Sequence, residues 1–124
     1  MKRILFLLVL VTFSCQENEA DAPEVVTTDP QEIGRTSAVI WADLKEVGPV
    51  RPVNYGFLWD TQGNLNTLIT KSNFVIGSTS DKKTFSIKIE NLTPATTYYY
   101  RGFAANADYS KIYYGNVVSF NTQP

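Results

Sequence analysis

The chain has 124 residues, room for one domain, with a formal charge of −1, no histidine and one cysteine. Without histidine there is no Ser–His–Asp triad, no imidazole metal ligand and no ordinary general base near neutral pH. A single cysteine allows no intrachain disulfide and no thiolate zinc site, and nothing in the charge is basic enough for a nucleic-acid footprint.

The first element is not part of a fold. Lys2 and Arg3 precede an unbroken apolar run, Ile4 to Val11, and Thr12, Phe13 and Ser14 lead into Cys15. A charged start, a short apolar stretch and a small residue before the cut describe a secretory signal over 1–14, too short to span a bilayer. From Gln16 to Ile33 there are six acids (Glu17, Glu19, Asp21, Glu24, Asp29, Glu32) and no base. From Gly34 onward six acids face nine bases, so the remainder carries about +3. A run of like charge repels itself and stays extended, and residues 15–22 are expected to be an acidic tether.

Beyond the tether Val, Ile, Thr, Tyr and Phe dominate, and the apolar pattern alternates with period two, the spacing of strands. Residues 23–124 form the folded domain. Pro23–Thr28 is a first strand, and Asp29, Pro30 and Gly34 mark a turn. Ser37–Leu44 follows with Ala38, Ile40, Ala42 and Leu44 on one face. Val53–Trp59 places Val53, Tyr55, Phe57 and Trp59 together. Leu65–Gly77 gives one or two edge strands, at Leu68–Ile69 and Phe74–Ile76. Thr84–Ile89 turns Phe85, Ile87 and Ile89 inward, Thr97–Ala105 is a long strand, and Ile112–Thr122 is the last. About seven short strands with turn signals between them predict an all-β, two-sheet antiparallel sandwich.

Two stretches resemble known families. The apolar run ending in Ser14–Cys15 resembles the lipobox of bacterial lipoproteins, which implies cleavage before Cys15 and lipid on its thiol; ordinary cleavage nearby would instead leave a free thiol. Gln16–Asp21 (QENEAD) resembles the acidic stretch of some surface-exported Gram-negative lipoproteins, or is a solvated linker. Leu92, Pro94, Thr96 and Tyr98 resemble the tyrosine corner of fibronectin type III domains, where the ring packs inside and the hydroxyl bonds back to the turn. With Ser37–Ala38, Ile40, Tyr55–Gly56–Phe57, Phe85 and Gly115–Thr122 in the same order, residues 23–124 are similar to fibronectin type III-like modules of bacterial surface lipoproteins. The resemblance implies an immunoglobulin/fibronectin type III-like sandwich anchored at the outer membrane of a Gram-negative bacterium, with its surface or periplasmic side open. Trp41 is out of phase with its inward neighbours, so either it faces outward or its strand carries a bulge.

Alternation from Tyr98 turns Tyr100, Gly102 and Ala104 inward and leaves Tyr99, Arg101, Phe103 and Ala105 on the outer face. Arg101 either lies across those rings or forms part of a contact surface with them. The candidate contact residues are Trp41, Tyr99, Arg101, Phe103, Tyr109, Tyr113 and Tyr114, with a membrane at Cys15 and a protein or glycan as partners. Glycines scattered singly make no phosphate loop, and no cofactor, metal or catalytic group is expected. Two roles remain: a non-catalytic binding or accessory module, and a structural spacer in a surface complex.

Overall fold

The computed structural model describes residues 22–68 and 72–124; the expected signal segment 1–14, Cys15, all of the tether before Ala22, and Ile69 lie outside the described residues. Eight strands form among them: β1 (Glu24–Gln31), β2 (Ala38–Glu46), β3 (Val53–Asp60), β4 (Ser72–Thr79), β5 (Lys83–Ile89), β6 (Thr97–Ala105), β7 (Ile112–Tyr114) and β8 (Val118–Asn121). They make two antiparallel sheets, β1-β2-β5 and β4-β3-β6, with β7 and β8 pairing successive halves of the free edge of β6.

Period-two alternation builds the interior. Ala38, Ile40, Ala42 and Leu44 of β2 face Tyr55 and Phe57 of β3 and Tyr98, Tyr100 and Ala104 of β6, all buried. The rings run from one pole to the other as a continuous series. Tyr55 meets Phe85 edge-on at 4.9 Å, Phe85 lies 5.0 Å from Phe57, and Phe57 meets Tyr100 at 6.2 Å. Phe120 then touches both Tyr100 (6.0 Å) and Tyr98 (5.9 Å). Offset and edge-on rings at these spacings add about 0.5–1.5 kcal/mol per pair beyond the area they bury.

Small residues set how closely the sheets approach. A Cβ on Gly102 would sit 2.9 Å from both the Ala42 Cβ and Val25 Cγ1, and one on Gly115 would sit 2.7 Å from Thr27 Oγ1. Into that space the buried Thr27 hydroxyl reaches across from β1 and accepts a hydrogen bond from the Gly102 N–H (3.0 Å). The Gly115 N–H donates to the Gly102 carbonyl (2.9 Å). Beside it the Asn116 amide stands in for a strand neighbour: its Oδ1 accepts from the Thr27 N–H (2.8 Å) and its Nδ2 donates to the Thr27 carbonyl (3.0 Å). This is why the expected single strand Ile112–Thr122 is two. At Gly115–Val117 the chain leaves β6 to close the edge of β1.

Two other expectations are corrected, and the alternative left open at Trp41 is decided. Asp29–Pro30 is not a turn; β1 runs through it to Gln31 with a bulge between Thr28 and Gln31. β1 is an edge strand, so the missing proline N–H removes no ladder bond. Leu68 is in no strand, and β4 is one edge strand longer than Phe74–Ile76. Gly56 faces a register shift in β4, where a Cβ would lie 2.0 Å from the Phe74 carbonyl oxygen, so the bulge requires glycine there. Trp41 faces outward between Thr28 and Ser86, and the pairing of β2 with β5 is unbroken.

Gly102→Ala is expected to lower unfolding free energy by about 1–3 kcal/mol, since overpacked cores must move backbone. Urea melts of variant and parent measure the difference.

Candidate functional site

The turn after β5 carries the four corner residues. Leu92 is buried, and its N–H donates to the Thr36 carbonyl (2.9 Å). Pro94 fixes φ ahead of Ala95, which adopts a left-handed φ of 54°. The Thr96 hydroxyl donates to the Pro94 carbonyl (2.9 Å), and the Thr96 N–H donates to the Thr122 hydroxyl (2.9 Å). The Tyr98 ring is buried and its hydroxyl accepts from the Thr93 N–H at 2.8 Å. A phenol so placed satisfies a backbone donor that would otherwise be left unpaired inside the turn, at a cost of about 1–3 kcal/mol. Leu92 and Tyr98 are buried and Pro94 and Thr96 half-buried, so these four residues serve the turn itself.

The opposite face of β6 is not the open surface that alternation implies. Phe103, expected to be exposed, is fully buried, together with Leu58, Leu65 and Ala105. The cause is the chain after β3. It folds back over the outer side of the larger sheet and inserts Leu65, and Gly63 lies against the Tyr99 ring, which is 3.6 Å from where a Cβ would stand, an ordinary contact distance. Leu68, Tyr99, Tyr109, Ile112 and Tyr114 pack around this second small core and are half-buried. Phe103 therefore leaves the contact set and becomes the floor beneath it.

Arg101 fastens this layer. Its Nε donates to the Gly115 carbonyl (2.7 Å) and its Nη1 to the Leu65 carbonyl (2.8 Å), tying the 61–68 segment to the β7–β8 corner. The guanidinium lies 4.9 Å from the centre of the Tyr114 ring, so it does lie across a ring. Burial lowers the Arg101 pKa, opposed by Tyr114, and burial raises that of Tyr114, opposed by the guanidinium.

The remaining candidates divide by place. Tyr99, Arg101, Tyr109 and Tyr114 come together on one face. Tyr109 sits in the tight 106–111 turn with a left-handed φ of 59°, its N–H donating to the Asn106 carbonyl (3.0 Å). In that turn hydrogen bonds from Ser110 hold the Asp108 carboxyl below its usual pKa. Tyr113 pairs with Ala104 and by alternation points to the other side of β7. Trp41 lies on the outer side of the smaller sheet, away from these rings and half-buried, its indole N–H enclosed without a hydrogen-bond partner. Among the described residues no group of three or more His, Cys, Asp or Glu is placed to hold a metal ion. What the face can do is present ring edges and a fixed cation to a flat or apolar ligand.

Comparison with known proteins shows the fold. The sensor domain of the anti-sigma factor RsgI4 from Pseudobacteroides cellulosolvens is 23% identical, with 82% of this chain and 94% of that chain covered and a TM-score of 0.58. The fibronectin type III domain of human fibronectin type III domain containing protein 3 is 15% identical over 88% and 94% of the two chains, TM-score 0.56. A fibronectin type III domain from the human KIAA0970 protein is 15% identical over 85% and 77%, TM-score 0.56. The chain is thus a fibronectin type III-like, immunoglobulin-like β-sandwich. No protein-family model and no curated protein sequence matches it.

Phe103→Ala should cost about 3–5 kcal/mol of stability, as for other buried aromatics, measured by denaturant melts. High pH tests the buried phenols. Burial, and then the Asp29 charge, push the Tyr100 pKa far up, against a smaller lowering from the Trp41 backbone; its hydroxyl donates to the Thr28 carbonyl. A pKa higher in the folded than in the unfolded state means that the stability from this group is complete below about pH 10 and is lost as pH rises towards the folded value. Tyr114 has the same sign. Melts at rising pH should show falling stability above about pH 10, with a shallower fall in Tyr100→Phe.

Proposed function

We propose that the chain is a non-catalytic binding or accessory module of the Gram-negative cell envelope, held at the outer membrane by lipid on Cys15, that contacts a protein or glycan through aromatic rings. The observation that carries the binding reading is the group Tyr99, Tyr109 and Tyr114, held half-buried around the buried Phe103 with Arg101 bonded at both ends. Rings fixed by a packed floor and a doubly bonded guanidinium lose little conformational entropy on contact, which is what makes tyrosine effective in binding surfaces. Trp41 and Tyr113, on other sides of the sandwich, are not part of this contact set.

The anchor reading rests on the sequence: Lys2–Arg3, the apolar run Ile4–Val11 and Ser14–Cys15. Acyl chains bind through buried methylenes at about 0.8 kcal/mol each, and more than one chain gives stable attachment. The acidic residues after Cys15 then hold the sandwich away from anionic headgroups.

Cys15→Ala should move the protein from the membrane to the soluble fraction; a variant that still partitions with membranes in detergent extraction overturns the anchor. For the binding surface, a glycan array and a pull-down from membranes are run with the parent and with Tyr99→Ser. The parent should retain a ligand that the variant loses. Equal retention overturns the ring surface as the contact, and no retention by the parent favours a structural spacer.

A further inference from the structure

Among the described arginines, Arg101 is the one drawn in among rings. Arg35 and Arg51 also donate to backbone carbonyls, those of Pro124, Gly48 and Ser80, but both are exposed. Arg101 is half-buried with its guanidinium against the Tyr114 ring, where its charge loses part of its hydration. Its two bonds, from Nε to Gly115 and from Nη1 to Leu65, go to neutral carbonyls. A guanidinium has five N–H donors; these bonds use two, and three remain, including both on Nη2. Trp41 Nε1 is the sole enclosed side-chain nitrogen or oxygen without a partner among the described residues, so Nη2 opens to solvent.

No carboxylate among the described residues balances this charge. The ion pairs of Lys45 with Asp43, Lys82 with Glu46 and Lys88 with Glu90 all lie elsewhere. Two acids stand at the ends of the ring face, each tied into its own turn. Asp60 Oδ1 accepts from the Thr61 N–H (2.8 Å), and Asp108 Oδ1 accepts from the Ser110 N–H (3.0 Å). Burial lowers the Arg101 pKa, and what opposes that lowering is the Tyr114 phenol, not a carboxylate. The face therefore holds a fixed, half-buried cation whose counter-charge the described residues do not supply.

We propose that the missing counter-charge is the carboxylate of a uronic acid unit in an acidic glycan, bound by the open side of Arg101 while Tyr99 and Tyr109 meet the sugar ring. This rests on the reading that the ring face is the contact surface, and names the ligand class. A planar carboxylate matches the planar guanidinium and forms charge-assisted hydrogen bonds with it. The surroundings favour a sugar over a protein. Protein interfaces centre on apolar side chains that association buries, but Leu58, Leu65, Phe103 and Ala105 are already at most 1% exposed. Exposed on the covering segment are Thr61, Gln62 and Asn66, hydroxyl and amide groups of the kind that exchange hydrogen bonds with sugar hydroxyls.

The test uses the full-length chain in a Cys15→Ala background, so that it is independent of lipid attachment. Oligomers of galacturonate, mannuronate and glucuronate are titrated beside their methyl esters, which keep the sugar and remove the charge. At least one acid form should bind, with its ester about tenfold or more weaker, the loss expected for a hydrogen-bonded charge. Because the ligand is what changes, this comparison does not depend on a variant that folds. Arg101→Lys, checked by its melting curve, should weaken the acid form and leave the ester unchanged. Equal binding of acid and ester overturns the carboxylate while the ring surface stands. Equally tight binding of polyglutamate overturns the glycan in favour of an acidic protein. Undiminished binding of the acid form by Tyr99→Ser overturns both this inference and the ring surface. If no oligomer binds while the parent still retains a protein from membranes, the glycan inference alone is overturned.

Discussion

The sandwich depends on the place where β1 meets β6. Two opposed sheets ordinarily stand about 10 Å apart with side chains filling the gap. Here a threonine hydroxyl crosses the gap to a glycine N–H, because neither Gly102 nor Gly115 has a side chain to hold the sheets off. That one bond fixes three things together. It gives the Gly102 N–H a partner at the gap between β7 and β8, and it gives the buried Thr27 hydroxyl an acceptor role. It also brings Asn116 within reach of the Thr27 backbone. A buried polar group without a partner is costly, so these residues work only as a set.

From the same corner the outer layer is organised. The Gly115 carbonyl, left free by the departure of the chain from β6, accepts from Arg101, and Arg101 reaches on to Leu65. The rings on that face owe their fixed positions to a backbone detour made on the other side of the sheet. The two outer faces are consequently unlike. The smaller sheet shows Trp41 beside Thr28, Ser86 and Asp43, with Val26 and Val39 on the same side, whereas the larger sheet carries a second, fully buried apolar layer.

The inner half of this arrangement was legible in the sequence. Alternation along Ala38–Leu44 and Tyr98–Ala104, and the spacing of Leu92, Pro94, Thr96 and Tyr98, correspond to buried positions or to hydrogen-bonded turns. The outer half was not legible by the same rule, because period two says only that Phe103 opposes Tyr100, not that the other side is wet. A signal was present: Leu58 on β3 and Phe103 and Ala105 on β6 are all apolar on the outward side, which asks for a cover, and Leu65 and Leu68 lie just after β3 to supply it. The split of the last strand left less trace. A side-chain amide replacing a backbone rung has no periodicity, and Gly115–Asn116 reads equally well as a turn. Asp29–Pro30 misled for the opposite reason, as strong turn residues placed on a bulged edge where their defects do no harm.

The placement of the two end strands carries a mechanical consequence. Glu24, where β1 begins, lies beside Glu46 at one pole, and Asn121, where β8 finishes, lies beside Thr97 at the other, with Gln123 bonded to the Gly34 carbonyl there. Tension applied between those points draws β1 and β8 in opposite directions along their own axes. The rungs that hold each strand are then loaded in parallel, by shear, and must yield together. A pull directed across the sheet would open them one at a time. For β1 the sheared set includes the two Asn116 bonds on its far side as well as the β2 ladder, so a single amide side chain adds to the force the first strand can bear.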